Sequence, residues 1–394
     1  MTPAVYNPVV NFAFLFPRFK LLSGAERLIL KLTEALLHQG HSVSICCHRF
    51  DESCRPLLPS SANLVITGAK LDYFANRYWN AAFDYWKAGK LVEAIPGEPD
   101  AICCFGPALT ALPRAQEKFR VPVLYFCYEP PRYLYTDQEV ILRRLGAATL
   151  LGPPLLAWYR RRDQKLVSRA DAVLSNSFFG KEQIHTIYGR DAQVITHGLD
   201  PYRAGTRRDA LRQLWGVGTN DIAAITVNYL HPRKRIDLFI KTIGAAHHAN
   251  PAVKGIVVGD GPERERLTLI GGPDVVFTGF VPESDLFEYY QAADLYLHTA
   301  RMETFGLSVI EACGNGLPVV SVREGGPTET LVDGETGLLC DPDPHALSNA
   351  VLSLLDPQKR CEMGKRASER VRKEYTWEKG AGDFIAAVES CRKK

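Results

Sequence analysis

The chain has 394 residues, 46% of them apolar and 23% charged, an ordinary globular composition whose length predicts two domains. A net charge of +3 is too mild to argue for nucleic acid, and no apolar run approaches the length of a membrane-spanning helix. The ten cysteines show no C-x-x-C spacing. Pairs such as Cys46–Cys47 and Cys103–Cys104 sit in apolar strand-like runs, where neighbours point to opposite faces. They read as core thiols in a reducing cytoplasm, not as metal ligands.

In chain order, the N-terminus lacks the basic start and small-residue cleavage site of a signal peptide, and Val9–Phe16 reads as a first strand. Further strands are predicted at Ser42–Cys47, Asp100–Phe105, Pro122–Cys127, Ala172–Asn176 and Gln193–Thr196, with helical patterns at Glu26–Gln39 and Lys165–Arg169. This alternation implies a parallel sheet with helices on both faces, and ligands then gather at the carboxyl ends of the strands. Gly24, in Ser23–Gly24–Ala25–Glu26, opens the first helix, where a glycine can either let an anion approach the backbone or simply cap the helix.

Two first-half segments are unusual. Leu71–Ile95 carries Tyr73, Phe74, Tyr78, Trp79, Phe83, Tyr85 and Trp86 at near-helical spacing. Leu150–Arg162 joins an apolar run to Tyr159 and three arginines. Both fit either a buried helix face or an interfacial segment on a membrane. Tyr128 and Glu129 follow another strand; the phenol of Tyr128 can donate a hydrogen bond but does not titrate near neutral pH.

Residues 201–221 are polar and Gly-containing and read as a linker into a second domain. The expected boundaries are 1–200 and 201–374, with a final helix, 375–394. A strand is predicted at Ala223–Val227 and a helix from Ile236. Between them Arg233, Lys234 and Arg235 form a basic turn that is either solvated or able to neutralise a departing diphosphate. Gly259–Asp260–Gly261 lacks the third glycine of a dinucleotide fingerprint and runs straight into Pro262, which argues against a nicotinamide site. Strands at Gly255–Val258 and Val275–Phe277 and a helix at Glu283–Ala292 follow. Asp341-Pro-Asp343 imitates a metal-binding Asp-x-Asp, but its proline-flanked position reads as a turn.

The densest signal is 298–341. A strand, Asp294–His298, ends in a polar loop through Thr304–Phe305–Gly306 into a helix containing Leu307, Ile310 and Glu311. Gly306 lets amides at the helix start approach a ligand, and those amides with the helix dipole favour an anion such as phosphate. Glu303 lies just before the helix and can bind sugar hydroxyls or stabilise developing positive charge. Glu311, two turns in, can bind a second polyol such as a ribose. Alone, each glutamate reads as an acidic helix-start charge; together they suit a sugar joined through phosphate to a nucleoside.

These strings resemble the family-four retaining glycosyltransferases, a GT-B family that uses nucleotide sugars. The resemblance rests on Glu303-x7-Glu311, Gly316–Ser321, Gly325–Glu329 and Asp333–Leu339, and on Lys234 before Ile-Asp; it extends over nearly the whole chain. Ser23–Glu26 is similar to the family's Gly-Gly-Ala-Glu loop, with Ser23 for the first glycine. Tyr128 stands where related enzymes carry a histidine beside the reacting sugar, and Tyr229 where they carry an arginine. The resemblance implies two Rossmann-like, doubly wound α/β domains facing across a cleft, with nucleotide sugar in the C-terminal half and acceptor in the N-terminal half.

It further implies transfer with retention and without an obligatory metal. Glu303, Lys234 and Arg233 would be catalytic. Gly24, Arg235, Val281, Thr304, Phe305, Gly306, Leu307 and Glu311 would bind donor, and Tyr128 and Glu129 would lie on the acceptor side. Similarity to mannosyltransferases that extend lipid-linked oligosaccharides points to GDP-mannose, with UDP-glucose open. The expected partners are a nucleotide sugar, a glycan or lipid-linked acceptor and a membrane surface, with no cofactor and no nucleic acid, in the cytoplasm or on a membrane's cytoplasmic face. A catalytically silent binding protein and a nicotinamide dehydrogenase are the competing classes.

Overall fold

The structure, a computed structural model, describes residues 9–20, 24–69, 84–136 and 152–393. Ser23, the aromatics Tyr73, Phe74, Tyr78, Trp79 and Phe83, and the start of the 150–162 segment lie outside the described residues. The chain forms two compact units, one of 1–198 with 377–394 and one of 199–376.

In the first unit the strands are Asn11–Leu15 (β1), Arg18–Phe19 (β2), Ser42–Cys47 (β3), Arg49–Phe50 (β4), Asn63–Ile66 (β5), Ala101–Phe105 (β6), Val123–Phe126 (β7), Ala172–Ser175 (β8) and Ala192–Val194 (β9). Seven of them form a parallel sheet in the order β5-β3-β1-β6-β7-β8-β9; β2 and β4 pair separately. A central strand of such a sheet is apolar on both faces. In β1, Phe12 and Phe14 join one core layer while Ala13 and Leu15 join the other. The last helix, Trp377–Arg392, belongs to this unit. Its Phe384 ring meets those of Phe12 and Phe14 edge-on at 5.4 Å, and its Asp383 accepts the Thr196 amide at 3.0 Å.

The second unit holds Ile222–Val227 (β10), Val253–Val258 (β11), Val275–Gly279 (β12), Leu295–His298 (β13), Val319–Val322 (β14) and Gly337–Cys340 (β15). They form a parallel sheet in the order β12-β11-β10-β13-β14-β15. Ala223 and Ile225 face one layer, Ile222 and Ala224 the other. Both units are therefore doubly wound Rossmann-like sheets. Strand order reverses between β1 and β6 and between β10 and β13. Loops leaving the carboxyl ends of the strands at such a reversal diverge to opposite faces and leave a crevice for ligands.

Several readings from spacing meet the structure closely: strand Ser42–Cys47 and helix Glu283–Ala292 have the expected bounds. Arg160–Arg162 and Lys165–Arg169, read as separate pieces, are one helix, Gly152–Arg169. Asp343 accepts the amides of His345 and Ala346 at 3.0 and 2.8 Å, so it caps helix Pro344–Leu352. No described helix is long and apolar enough to cross a membrane.

Candidate active site

The reversal in the second unit brings together the basic turn after β10 and the loop after β13. The turn is held by its backbone: the Lys234 amide donates to the His231 carbonyl at 2.8 Å. Thr299 Oγ1 donates to the Lys234 carbonyl at 2.9 Å, and the Arg301 amide to the Arg233 carbonyl at 2.8 Å. These contacts lock the two loops side by side. The Lys234 ammonium donates to the carboxylate of Glu303, a direct ion pair between residues 69 positions apart.

Electrostatics set the state of this pair. Burial alone would raise the Glu303 carboxyl, but the charge and hydrogen bond of Lys234, with His298 and then Arg233 pulling the same way, outweigh it and hold the pKa at about 2. Glu303 is therefore an anion at any working pH. Arg235 is engaged differently: its guanidinium donates to both oxygens of Glu324, at 3.3 and 3.0 Å, and to the Thr299 carbonyl at 2.8 Å. Glu324, two residues beyond β14, does not stand out in the sequence; its place beside Gly325–Glu329 was the available signal.

The loop geometry is costly. Among the described residues the non-glycines with left-handed φ are Arg235 (47°) and Met302 (50°), which flank Lys234 and Glu303. Such conformations cost of order 1–3 kcal/mol each and concentrate at functional sites. Gly306, at φ 88°, caps helix Leu307–Gly314 with no side chain in the way of its first-turn amides. Gly325 and Gly326 lie so close under the loop that an added Cβ would come within 2.3 Å of the Glu303 carbonyl and 2.5 Å of the Thr304 carbonyl.

The other named residues divide by unit. In the second unit, Glu311 accepts a hydrogen bond from the buried Tyr290 hydroxyl at 2.8 Å, which fixes its carboxylate. The Thr304 side chain is buried, and Phe305 and Val281 give theirs to the core, which leaves their backbone alone for any contact outside it. Gly259–Asp260–Gly261 packs against the turn after β10; an added Cβ on Gly259 would lie 1.9 Å from the Asn228 carbonyl, which explains its glycines without a dinucleotide. Tyr229 is exposed and stacks near His231, with ring centroids 6.5 Å apart.

In the first unit, Gly24 starts helix Gly24–His38. The Tyr128 hydroxyl donates to the Ala25 carbonyl at 3.3 Å, and burial pushes its pKa well above the ordinary phenol value. Glu129 pairs with Arg132.

Two family models together account for most of the chain. "Glycosyltransferase Family 4" matches residues 22–203, and "Glycosyl transferases group 1" matches residues 207–374. The chain belongs to the GT-B glycosyltransferases. Among relatives in this family is a D-inositol 3-phosphate glycosyltransferase of Acidothermus cellulolyticus, 31% identical over 51% of this chain and 49% of the relative. A GDP-mannose-dependent alpha-mannosyltransferase of Mycobacterium tuberculosis is 34% identical over 57% of this chain and 58% of its own length. The match thus spans about half to three-fifths of these curated relatives. Among solved structures of the fold, the sucrose-phosphate synthase of Thermosynechococcus elongatus superposes with a TM-score of 0.75 at 21% identity, covering 98% of this chain and 99% of its own. Anabaena Alr3699/HepE, solved in complex with UDP-glucose, gives 0.72 at 21% identity, covering 97% and 100%.

Proposed function

We propose that this chain is a retaining hexosyltransferase that moves a hexose from a nucleotide sugar, GDP-mannose before UDP-glucose, to a glycan or lipid-linked acceptor. The observation that carries the reading is the Lys234–Glu303 pair at the strand-order reversal, directly before the amide-rich start of helix Leu307–Gly314. When a sugar leaves its nucleotide, negative charge collects on the diphosphate and positive charge on the sugar. Lys234 and Arg233 meet the first, together with the amides of Thr304 to Leu307. Glu303 meets the second, and Glu311, aimed by Tyr290, holds the ribose. Backbone at Val281 reads the base, and Arg235 supports the diphosphate side through the frame it shares with Glu324. By family resemblance Gly24 is assigned to the donor, and Tyr128 and Glu129 to the acceptor. Fixed charges aimed at developing charge commonly supply more of the rate than any other device.

The reading needs no cofactor beyond the nucleotide sugar. The relatives' names favour GDP-mannose. A membrane acceptor is supported by helix Gly152–Arg169, where Leu155, Trp158 and Tyr159 are exposed and the Arg162 guanidinium lies 5.5 Å over the Trp158 ring. Co-sedimentation with anionic vesicles at low salt is the expected result, and no binding by the wild type removes the membrane from the reading.

The transferase reading is tested by thermal melting with a panel of nucleotide sugars. A ligand at a hundred times its dissociation constant stabilises by about 2.7 kcal/mol. GDP-mannose is expected to raise the melting temperature and nicotinamide dinucleotides to leave it unchanged; no response to any nucleotide sugar refutes the reading. Tyr229 and Tyr128, which replace an arginine and a histidine, favour one alternative, a silent protein that binds donor without turnover. Donor hydrolysis or transfer by the purified chain excludes it.

A further inference from the structure

One titratable side chain, on the residue before Thr299, whose hydroxyl and carbonyl hold the backbone of Lys234 and the guanidinium of Arg235, has no role in the transfer chemistry above. His298 is the last residue of β13 and is completely buried. Its ring stacks at 25° on that of Tyr296, 6.2 Å away, so both point into the layer that holds helix Leu307–Gly314. The Tyr296 hydroxyl is satisfied by Ser308 Oγ at 2.7 Å. The imidazole is not: neither Nδ1 nor Nε2 has a hydrogen-bond partner among the described residues. Burial holds the ring neutral, with a pKa of about 4, against the pull of Glu303; Lys234 and Arg235 add to the lowering.

Two orphaned nitrogens are an expensive way to fill a core. A phenylalanine would stack on Tyr296 equally well without the desolvation penalty, so a buried group left in this state asks for a working role. The Lys234–Glu303 pair supplies one. In the free protein Glu303 takes an N–H from Lys234. A bound diphosphate competes for the same ammonium. As Lys234 turns to it, Glu303 keeps a negative charge where burial disfavours charge. A neutral imidazole carries one N–H, and here that N–H is uncommitted.

We propose that His298 is a positioning residue for Glu303, its ring N–H taking over the carboxylate as Lys234 moves to the diphosphate of the donor. The inference rests on the transferase reading. His298→Phe keeps the ring and removes both nitrogens, and His298→Gln keeps a donor. Both are compared with the wild type in thermal melting without ligand and in turnover of GDP-mannose.

The expected result for His298→Phe is a melting temperature equal to the wild type or raised by roughly 2–4 °C. Its kcat should fall at least about tenfold, with KM for the donor within about threefold, and His298→Gln should recover part of the loss. His298→Phe turning over like the wild type overturns the proposal. So does a drop in melting temperature in His298→Phe, because the nitrogens then serve the fold. Failure of the transferase reading looks different: a wild type that neither binds nor turns over any nucleotide sugar, which removes both.

Discussion

Two carboxylates, one in each unit, are both pushed upward by desolvation and behave in opposite ways, Asp163 buried and Glu303 partly so. Glu303 sits beside an ammonium and is held at about 2. Asp163, on helix Gly152–Arg169, accepts hydrogen bonds from the hydroxyls of Tyr135 and Tyr188 at 2.8 and 2.7 Å, yet its pKa is raised. Desolvation pushes both upward. Two phenols do not reverse it; a full positive charge does, because charge–charge attraction at a part-buried site exceeds what neutral donors return. Low-dielectric burial thus makes Asp163 a weaker acid and, with Lys234 added, makes Glu303 a committed anion.

The strongest way to break the contrast is to remove the cation. Lys234→Ala should let the Glu303 carboxyl climb from about 2 toward the behaviour of Asp163, and should cut turnover about a hundred- to a thousandfold with folding intact. Glu303→Ala should lose turnover on the same scale. Steady-state kinetics on GDP-mannose beside a melting curve checks both; near-normal turnover in either variant removes its assigned role.

Next in size is the cradle that brings the pair together. An added Cβ at Gly326 would lie 2.5 Å from the Thr304 carbonyl and 2.6 Å from the Phe305 Cα, all backbone that cannot swing aside. Gly326→Ala should therefore lower stability by about 1–3 kcal/mol and displace the amides after Thr304. Urea denaturation and donor binding should fall together; a variant with unchanged donor affinity would show that those amides do not hold the ligand.

What could be read from the sequence follows from where the signal is local. Both sheets were legible because their central strands are apolar on both faces, as in Asn11–Leu15 and Ile222–Val227. The edge strand Asn63–Ile66 was not, since half-exposed residues blur the apolar run, and the four-residue strands Val319–Val322 and Gly337–Cys340 were seen only as parts of family motifs. Helix Gly152–Arg169 was read in parts because its buried side is only Leu156, Asp163 and Val167, with a carboxylate in the middle. The motif around Glu303 and the basic turn around Lys234 each stood out alone, but nothing in their spacing says that they touch. Glu324, Tyr290 and His298 were missed for a related reason. An ordinary glutamate, tyrosine or histidine acquires meaning only from its tertiary neighbours.

The contrast also has a pH signature of opposite sign in the two units. Glu303 has a depressed pKa, so its contribution is present above its ordinary value of 4.5 and is lost as pH falls toward about 2. Asp163 has a raised pKa. Below its ordinary value of 3.8 it is protonated folded or unfolded and costs nothing; as pH rises through that value toward the raised one, stability is lost. Asp163→Asn should accordingly leave stability at neutral pH equal or higher, by up to about 1–3 kcal/mol, and flatten the acid side of its dependence. Melting curves across pH 3 to 8 test it; a large loss at pH 7 would mean that the two phenols need a carboxylate after all.

The smallest effect asks whether the units respond independently. Gly244, in helix Ile236–Ala249, and Gly382, in helix Trp377–Arg392, are exposed helix-interior glycines with open space where a Cβ would stand. Replacing either by alanine removes backbone freedom from the unfolded chain and should stabilise its own unit by up to about 1 kcal/mol. If the units melt separately, Gly244→Ala raises only the transition that responds to nucleotide sugar, and Gly382→Ala only the other. Both substitutions raising one shared transition would mean that the units unfold as one, and that the pH signatures of Glu303 and Asp163 must be measured by site-specific titration because melting would mix them.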